Sequence, residues 1–149
     1  MKWILKKYNE LTLEEFHNIL KLRINVFVVE QNCPYPELDG KDEIAYHFYA
    51  VADKNSSQIL AYTRIFKPGD YYKFAAIGRV VVNKRYRNTG LGNELMKNSI
   101  QQIEKLFHTT EIKIGAQTYL KKFYETHGFN KVGEEYLEDG IPHIYMIKN

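Results

Sequence analysis

The stretch Ile77-Gly78-Arg79-Val80-Val81-Val82-Asn83-Lys84-Arg85-Tyr86-Arg87-Asn88-Thr89-Gly90-Leu91-Gly92 decides how this chain folds. Its first six residues are nearly all apolar. Three successive valines favour an extended backbone, and the missing alternation predicts a strand covered on both faces. A basic loop ending in two glycines follows. Beyond it Leu91, Leu95, Ile103 and Leu106, with Met96, Ile100 and Phe107 beside them, recur at helical spacing as far as His108. The unit reads as strand, cationic glycine-rich turn, helix.

That order has a chemical consequence. The first turn of a helix presents unpaired N–H groups and the positive end of the dipole, so anions collect there. Gly90 and Gly92 carry no side chain to hold an oxygen-rich ligand away, and Lys84, Arg85 and Arg87 add positive charge beside the same point. The turn is therefore read as a cradle for a diphosphate; a surface turn that needed small residues is the plainer account of the same glycines. It is not a P-loop, because no Gly-Lys-Ser/Thr follows. It is not the dinucleotide fingerprint either, since Leu95 stands where a third small residue is expected.

Arg87-Asn88-Thr89-Gly90-Leu91-Gly92 resembles the Arg/Gln-x-x-Gly-x-Gly/Ala signature of the GNAT N-acetyltransferases, in its expected place after a strand. Downstream, Phe123-Tyr124-Glu125-Thr126-His127-Gly128-Phe129 resembles that family's Phe-Tyr-x-x-x-Gly-Phe segment. The residues from Arg23 to Gln31, Cys33-Pro34-Tyr35, Asp39-Gly40 and Gly140-Ile141-Pro142-His143 are similar to the ElaA-like branch. The resemblance spans nearly the whole chain. It implies a GNAT-like α/β fold, a central mixed sheet flanked by helices, with acetyl-CoA as co-substrate. It also implies that Arg85, Arg87, Asn88, Thr89, Gly90, Leu91 and Gly92 hold the donor's pyrophosphate. Val80, Val81 and Val82 would pair by main chain with the pantetheine arm, which requires their strand to part from residues 111–116, and Gln117 and Phe123 complete the donor contacts.

The totals fit one domain. At 149 residues folding buries roughly 70% of the unfolded chain's surface, and 44% hydrophobic with 26% charged residues is ordinary for a soluble globule. A net charge of +3 is too small to argue for nucleic acid, and a small anionic ligand is enough to explain the basic residues where they cluster. The single Cys33 rules out an internal disulfide and fits a reducing compartment. No basic-then-apolar leader and no apolar run near 18 residues is present, so a cytoplasmic protein with no membrane partner is expected. The 12 tyrosines suit a half-exposed sheet, and they leave a homodimer open.

In chain order, residues 3–8 read as a first strand. Thr12 and Glu15 form a capping-box pattern, and Leu13, Phe16, Leu20, Ile24 and Phe27 mark a helical stripe expected to face the core, with a break near Arg23. Residues 30–43 hold Pro34, Pro36 and Gly40 and so are irregular. They also carry Glu30, Glu37, Asp39, Asp42 and Glu43, which read as a solvated loop; the resemblance places them beside the acceptor cleft. Strands are expected at 47–53 and 59–66 around a polar turn, then at 75–82, 111–116, 130–137 and 143–147. A short helix at 119–127 ends at Gly128, and Asp139-Gly140 marks a tight turn.

Acetyl transfer from a thioester to an amine needs a bound donor, a proton acceptor for the amine and a proton donor for the thiolate. The resemblance assigns the last role to Tyr124, whose phenol, with an ordinary pKa near 10, is protonated at neutral pH. The family has Asn and Ala where this chain has Gln117 and Leu120; Gln supplies the same amide from one methylene further out. For the base, His47, His143, Glu30 and Glu43 have usable chemistry, and the ElaA-like stretch favours His143. The five histidines are scattered and Cys33 stands alone, so no metal is expected. The acceptor is read as an amine of a small molecule or peptide. A non-catalytic acyl-CoA sensor and a small nucleic-acid binder are the rival readings.

Overall fold

The valine run lies at the centre of the molecule as strand β4, Ala75–Val82. Before it come β1 (Lys2–Lys7), β2 (Tyr46–Ala52) and β3 (Asn55–Phe66); after it come β5 (Ile112–Gln117), β6 (Asn130–Glu138) and β7 (Ile141–Lys148). In the computed structural model, which describes residues 1–149, these form one mixed sheet in the order β1-β2-β3-β4-β5-β7-β6. All neighbours are antiparallel except β4 and β5. The mixed sheet with flanking helices is the expected fold, and the strands fall within a residue or two of their expected limits with one exception. β3 begins at Asn55, so the polar turn shrinks to Asp53-Lys54 between the paired Ala52 and Asn55.

The capping box forms as read: the Glu15 amide donates to Thr12 Oγ1 at 3.0 Å and the Thr12 amide to Glu15 Oε1 at 2.9 Å. Helix α1, Leu13–Ile24, then passes into a π-helical turn, Asn25–Glu30, instead of breaking near Arg23. The expected stripe is rotated. Leu13 is 92% exposed, and Phe16, Leu20, Ile24 and Phe27 are half-buried, while Ile19, Leu22, Arg23 and Val26 face inward. Arg23 is the reason: a charge held on the buried face hides that face from a purely apolar pattern. Ile19, Leu22 and Val26 pack on Tyr49, Val51, Tyr62 and Val81.

Helix α2, Leu91–Phe107, covers the other face through Leu91, Leu95, Met96, Ser99 and Ile103. The Ser99 hydroxyl donates to the Leu95 carbonyl at 2.7 Å and meets the Thr63 hydroxyl at 2.8 Å, so this polar pair is satisfied inside the core. The expected helix at 119–127 is shorter, because a 3-10 turn at Thr118–Leu120 precedes α3, Lys121–Glu125. Gly128, at φ +90, closes it. No helix is long and apolar enough to cross a membrane.

The acidic segment is not a solvated loop. Glu37 and Asp42 are 4% and 5% exposed, and they pair with arginines from three elements. Arg23 Nε donates to Glu37 at 2.5 Å and its NH1 to Asp42 at 2.8 Å; Arg64 NH1 reaches Asp42 at 3.0 Å and its NH2 reaches Asp39 at 2.8 Å. Arg79 Nε lies 2.8 Å from Glu37. Three positive charges thus meet three negative ones, and the segment is fixed although it has almost no regular backbone bonding. Beneath it His47, fully buried, contacts the Tyr62 hydroxyl at 2.7 Å and the Asp42 carbonyl at 2.9 Å.

Burial opposes charge on both Asp39 and Asp42, but the arginine hydrogen bonds outweigh it, holding Asp39 at about 2 and Asp42 below its usual range. Burial holds the His47 imidazole below its ordinary value. An unfolded chain therefore takes up a proton near pH 6.5 that the folded chain refuses, and stability falls as pH drops below that value. Urea unfolding is expected to show a lower free energy at pH 5.5 than at pH 7.5, with the folded His47 ring titrating by NMR below its unfolded value. A His47 ring that titrates near pH 6.5 in the folded state would contradict this.

Candidate active site

β4 and β5 hold together at only two positions, Ala75 with Ile112 and Ala76 with Lys113. Past them the strands part. On its other side β4 stays paired to β3, but between the pairs Tyr62–Val81 and Arg64–Gly78 one residue of β3 faces two of β4, Arg79 and Val80. The extra residue is a bulge, and Arg79 adopts φ +51, a left-handed backbone costing about 1–2 kcal/mol for a residue with a Cβ. Its guanidinium, tied to Glu37 and lying over the Tyr35 ring at 5.5 Å, offsets part of that cost. The gap opens a cavity of about 730 Å³ that runs through the sheet.

One end of the cavity is the strand-to-helix turn. Gly90, at φ +85, caps α2, and the following amides have no helical acceptor. A Cβ on Gly92 would sit 3.7 Å from the Phe123 ring and 3.8 Å from Val82, so even a methyl fills the space between them. Val80, Val81, Val82, Arg87, Asn88, Gly92, Gln117, Phe123 and Tyr124 all line this cavity, as does His143. Arg85 is exposed and lies outside the lining, with Thr89, Gly90 and Leu91. Thr89 donates its hydroxyl to the Tyr86 carbonyl at 2.6 Å, which shapes the turn. Arg87 donates from Nε to the Val82 carbonyl at 3.2 Å and from NH1 to Glu30 at 2.8 Å.

Gln117 exchanges amide hydrogen bonds with Gln31, at 3.1 and 3.3 Å. The end of the π-helical turn is thus tied to both banks of the gap, through Glu30 to the loop after β4 and through Gln31 to the end of β5. Cys33 continues the strap by contacting the Asp139 carbonyl at 3.4 Å.

Tyr124 reaches the cavity from α3. It is 5% exposed, its ring packs between Phe123 and Phe129, and burial pushes its phenol up. His143 reaches it from the opposite face of the sheet. Its Nδ1 lies 2.7 Å from the Ile141 carbonyl, and its Nε2 faces Glu138 at 3.3 Å. Of the four residues with base chemistry, only His143 and Glu30 line the cavity, because His47 belongs to the buried ion network and Glu43 lies elsewhere.

Beside His143 the sheet carries a tyrosine cluster that sequence reading missed. Tyr136 stacks on Tyr145 at 4.5 Å, and Tyr145 meets Tyr72 edge-on at 6.0 Å. Lys113 lies over both Tyr72 and Tyr145, at 4.7 and 4.5 Å. Gly115 is the floor: a Cβ there would lie 2.9 Å from the Tyr136 hydroxyl and 3.5 Å from that of Tyr72. A glycine inside a strand signals such close approach, and this one was readable.

A mixed sheet parted at its one parallel pair, beside a glycine-rich helix start, is the architecture of acyl-CoA N-acyltransferases. Residues 5–149 match the family model described as the Acetyltransferase (GNAT) domain, and the chain belongs to this family of acyltransferases. It is 37% identical over 148 residues to protein ElaA of Escherichia coli K12, across 99% of this chain and 96% of that one. The crystal structure of E. coli ElaA matches it with a TM-score of 0.89 at 34% identity, over the whole of both chains. An acyl-CoA N-acyltransferase from Pseudomonas aeruginosa matches with a TM-score of 0.92 at 42% identity, again over both whole chains. An aminoglycoside 6′-N-acetyltransferase complexed with coenzyme A shares the fold alone, with a TM-score of 0.69 at 13% identity over 97% of this chain and 96% of that one.

Gly115→Ala tests the tyrosine floor. The added methyl overpacks the Tyr136 hydroxyl, and a loss of about 1–3 kcal/mol in unfolding free energy is expected. Adding Tyr136→Phe should restore most of it; no recovery in the double variant would mean that the hydroxyl does not lie over Gly115.

Proposed function

We propose that this protein transfers an acetyl group from acetyl-CoA to an amine of a small molecule or peptide by direct attack. The observation that carries this reading is the parting of β4 from β5 beside the Gly90–Gly92 turn. Beyond Ala76 the edge of β4 facing β5 has lost its strand partner, and each buried main-chain group left unpaired costs about 1–3 kcal/mol. The amides of a pantetheine arm suit that edge at Val80 to Val82. Its diphosphate suits the α2 amides, with Arg87 and Asn88 alongside and Gly92 leaving room. Arg85, outside the lining, remains an electrostatic contributor at most. A relative supports the donor class: the Pseudomonas protein is described as an acyl-CoA N-acyltransferase.

The residues present then divide the work. His143 accepts the proton of the acceptor amine, either directly or through water, as that amine attacks the thioester carbonyl. Tyr124, kept neutral by burial, donates its proton to the departing sulfur. Gln117, held by Gln31, fixes the wall of the gap between them. A sensor that binds acyl-CoA without turnover would share the cradle and need neither proton step.

Gly92→Glu is expected to fold and to lose coenzyme A binding, since it places bulk and negative charge where phosphate belongs. Undiminished heat of binding in the folded variant would place the diphosphate elsewhere. Tyr124→Phe is expected to lower kcat on the order of a hundredfold, with KM for acetyl-CoA little changed. A single-turnover rate equal to the parent's would make Tyr124 a packing residue; coenzyme A binding by the parent that Gly92→Glu abolishes, with no acetyl transfer to any amine, would favour the sensor reading.

A further inference from the structure

Arg87 is tied on both edges of its guanidinium. Nε is engaged by the Val82 carbonyl, and NH1 by the Glu30 carboxylate at 2.8 Å. A bidentate contact with a phosphate needs two neighbouring N–H donors; Nε has given its single N–H to Val82, so the pair left is NH1 with NH2, and a phosphate there would lie against the Glu30 carboxylate that already holds one N–H of NH1. The Val82 contact belongs to the main chain of β4. The Glu30 contact is a half-exposed ion pair, each side chain 35% exposed, and is the weaker of the two to displace. A diphosphate on the α2 amides would also bring its charge beside the Glu30 carboxylate.

We infer that Glu30 and the donor's diphosphate are alternative partners of Arg87, so that donor binding frees the 30–33 strap that borders the acceptor end. This rests on the donor site proposed above. Glu30 ends the π-helical turn, a rare geometry that is frequent at functional sites. The next residue, Gln31, is hydrogen-bonded to Gln117 across the gap, and Cys33 is bonded to Asp139 on the β6–β7 turn. Cys33, Tyr35 and Asp39, which follow directly, line the acceptor end of the same cavity. Release at Glu30 therefore reaches the acceptor wall within a few residues of chain. Glu30 acts through Arg87 and the strap, and is a positioning residue.

Calorimetry with coenzyme A and with pantetheine, on the parent protein and on Glu30→Gln, tests this. Glu30→Gln removes the competing charge and keeps the shape, so coenzyme A is expected to bind about two- to tenfold more tightly. Pantetheine, which has no diphosphate, is expected to bind both proteins equally. Amide exchange at residues 31–33 should quicken when coenzyme A is added to the parent, and should already be quick in Glu30→Gln without it. Unchanged or weaker coenzyme A affinity in a folded Glu30→Gln would overturn the inference, as would equal tightening for pantetheine. Exchange at 31–33 that ignores coenzyme A overturns the coupling to the acceptor wall. Failure of both proteins to bind either compound would instead sink the donor site itself.

Discussion

Two register pairs between β4 and β5, followed by separation, are the constraint on which the rest of this structure depends. Parallel neighbours in a sheet normally stay paired along their length, because their buried polar groups have no other partner. Here β4 is drawn aside by its bulge at Arg79, and β5 is held to β7 along its whole length, from Ile112 with Lys148 to Gln117 with His143. The gap is therefore kept open by bonds on its outer sides. Arg79 links that opening to the neighbouring segment, since the residue that bends the strand also pairs with Glu37.

The buried ion network follows from the same need. An irregular segment that walls a cavity has few backbone bonds to fix it, and apolar anchors alone specify position weakly. Three guanidiniums and three carboxylates give directional contacts from α1, β3 and β4 to residues 37–42. Desolvating these charges consumes much of the Coulomb gain, so the network is better understood as fixing geometry than as adding net stability. Removing one member would leave its partners charged and unpaired. Its charge balance also means that Glu37, Asp39 and Asp42 are not available to attract a cationic amine.

The sequence made the central unit legible, because a valine run, a glycine-rich basic turn and a helical repeat are local patterns with local causes. The capping box at Thr12 was equally plain, and Tyr124 and Gln117 line one cavity with Arg87, Asn88 and Gly92, while Arg85, Thr89, Gly90 and Leu91 lie outside its lining. The network was not legible. Arg23, Arg64 and Arg79 lie far apart in the chain, and nothing local distinguishes a buried arginine from a solvated one. For the same reason neither the buried face of α1, which carries Arg23, nor the anchoring of residues 37–42 has a local signature in the sequence. Gly78-Arg79 interrupting the apolar run, and Gly115 inside β5, were the signals that a bulge and a close approach lay there.

The gap also explains how one site can draw on two faces of a sheet. Tyr124 belongs to the cluster of Ile112, Ile114, Ala116 and Met146, on the α2 side. His143 alternates with Ile144 along β7 and so faces the other side, beside Tyr136. In an intact sheet a layer of paired backbone would separate them. Because β4 and β5 part, both side chains line a single cavity. In the proposed transfer, the proton leaving the amine and the proton reaching sulfur are then handled on opposite sides of the reacting carbonyl. Under that reading donor and acceptor can enter from different ends. The Glu30–Gln31 strap crosses the one place where those two approaches meet, so what holds it at Arg87 and at Gln117 bears on both.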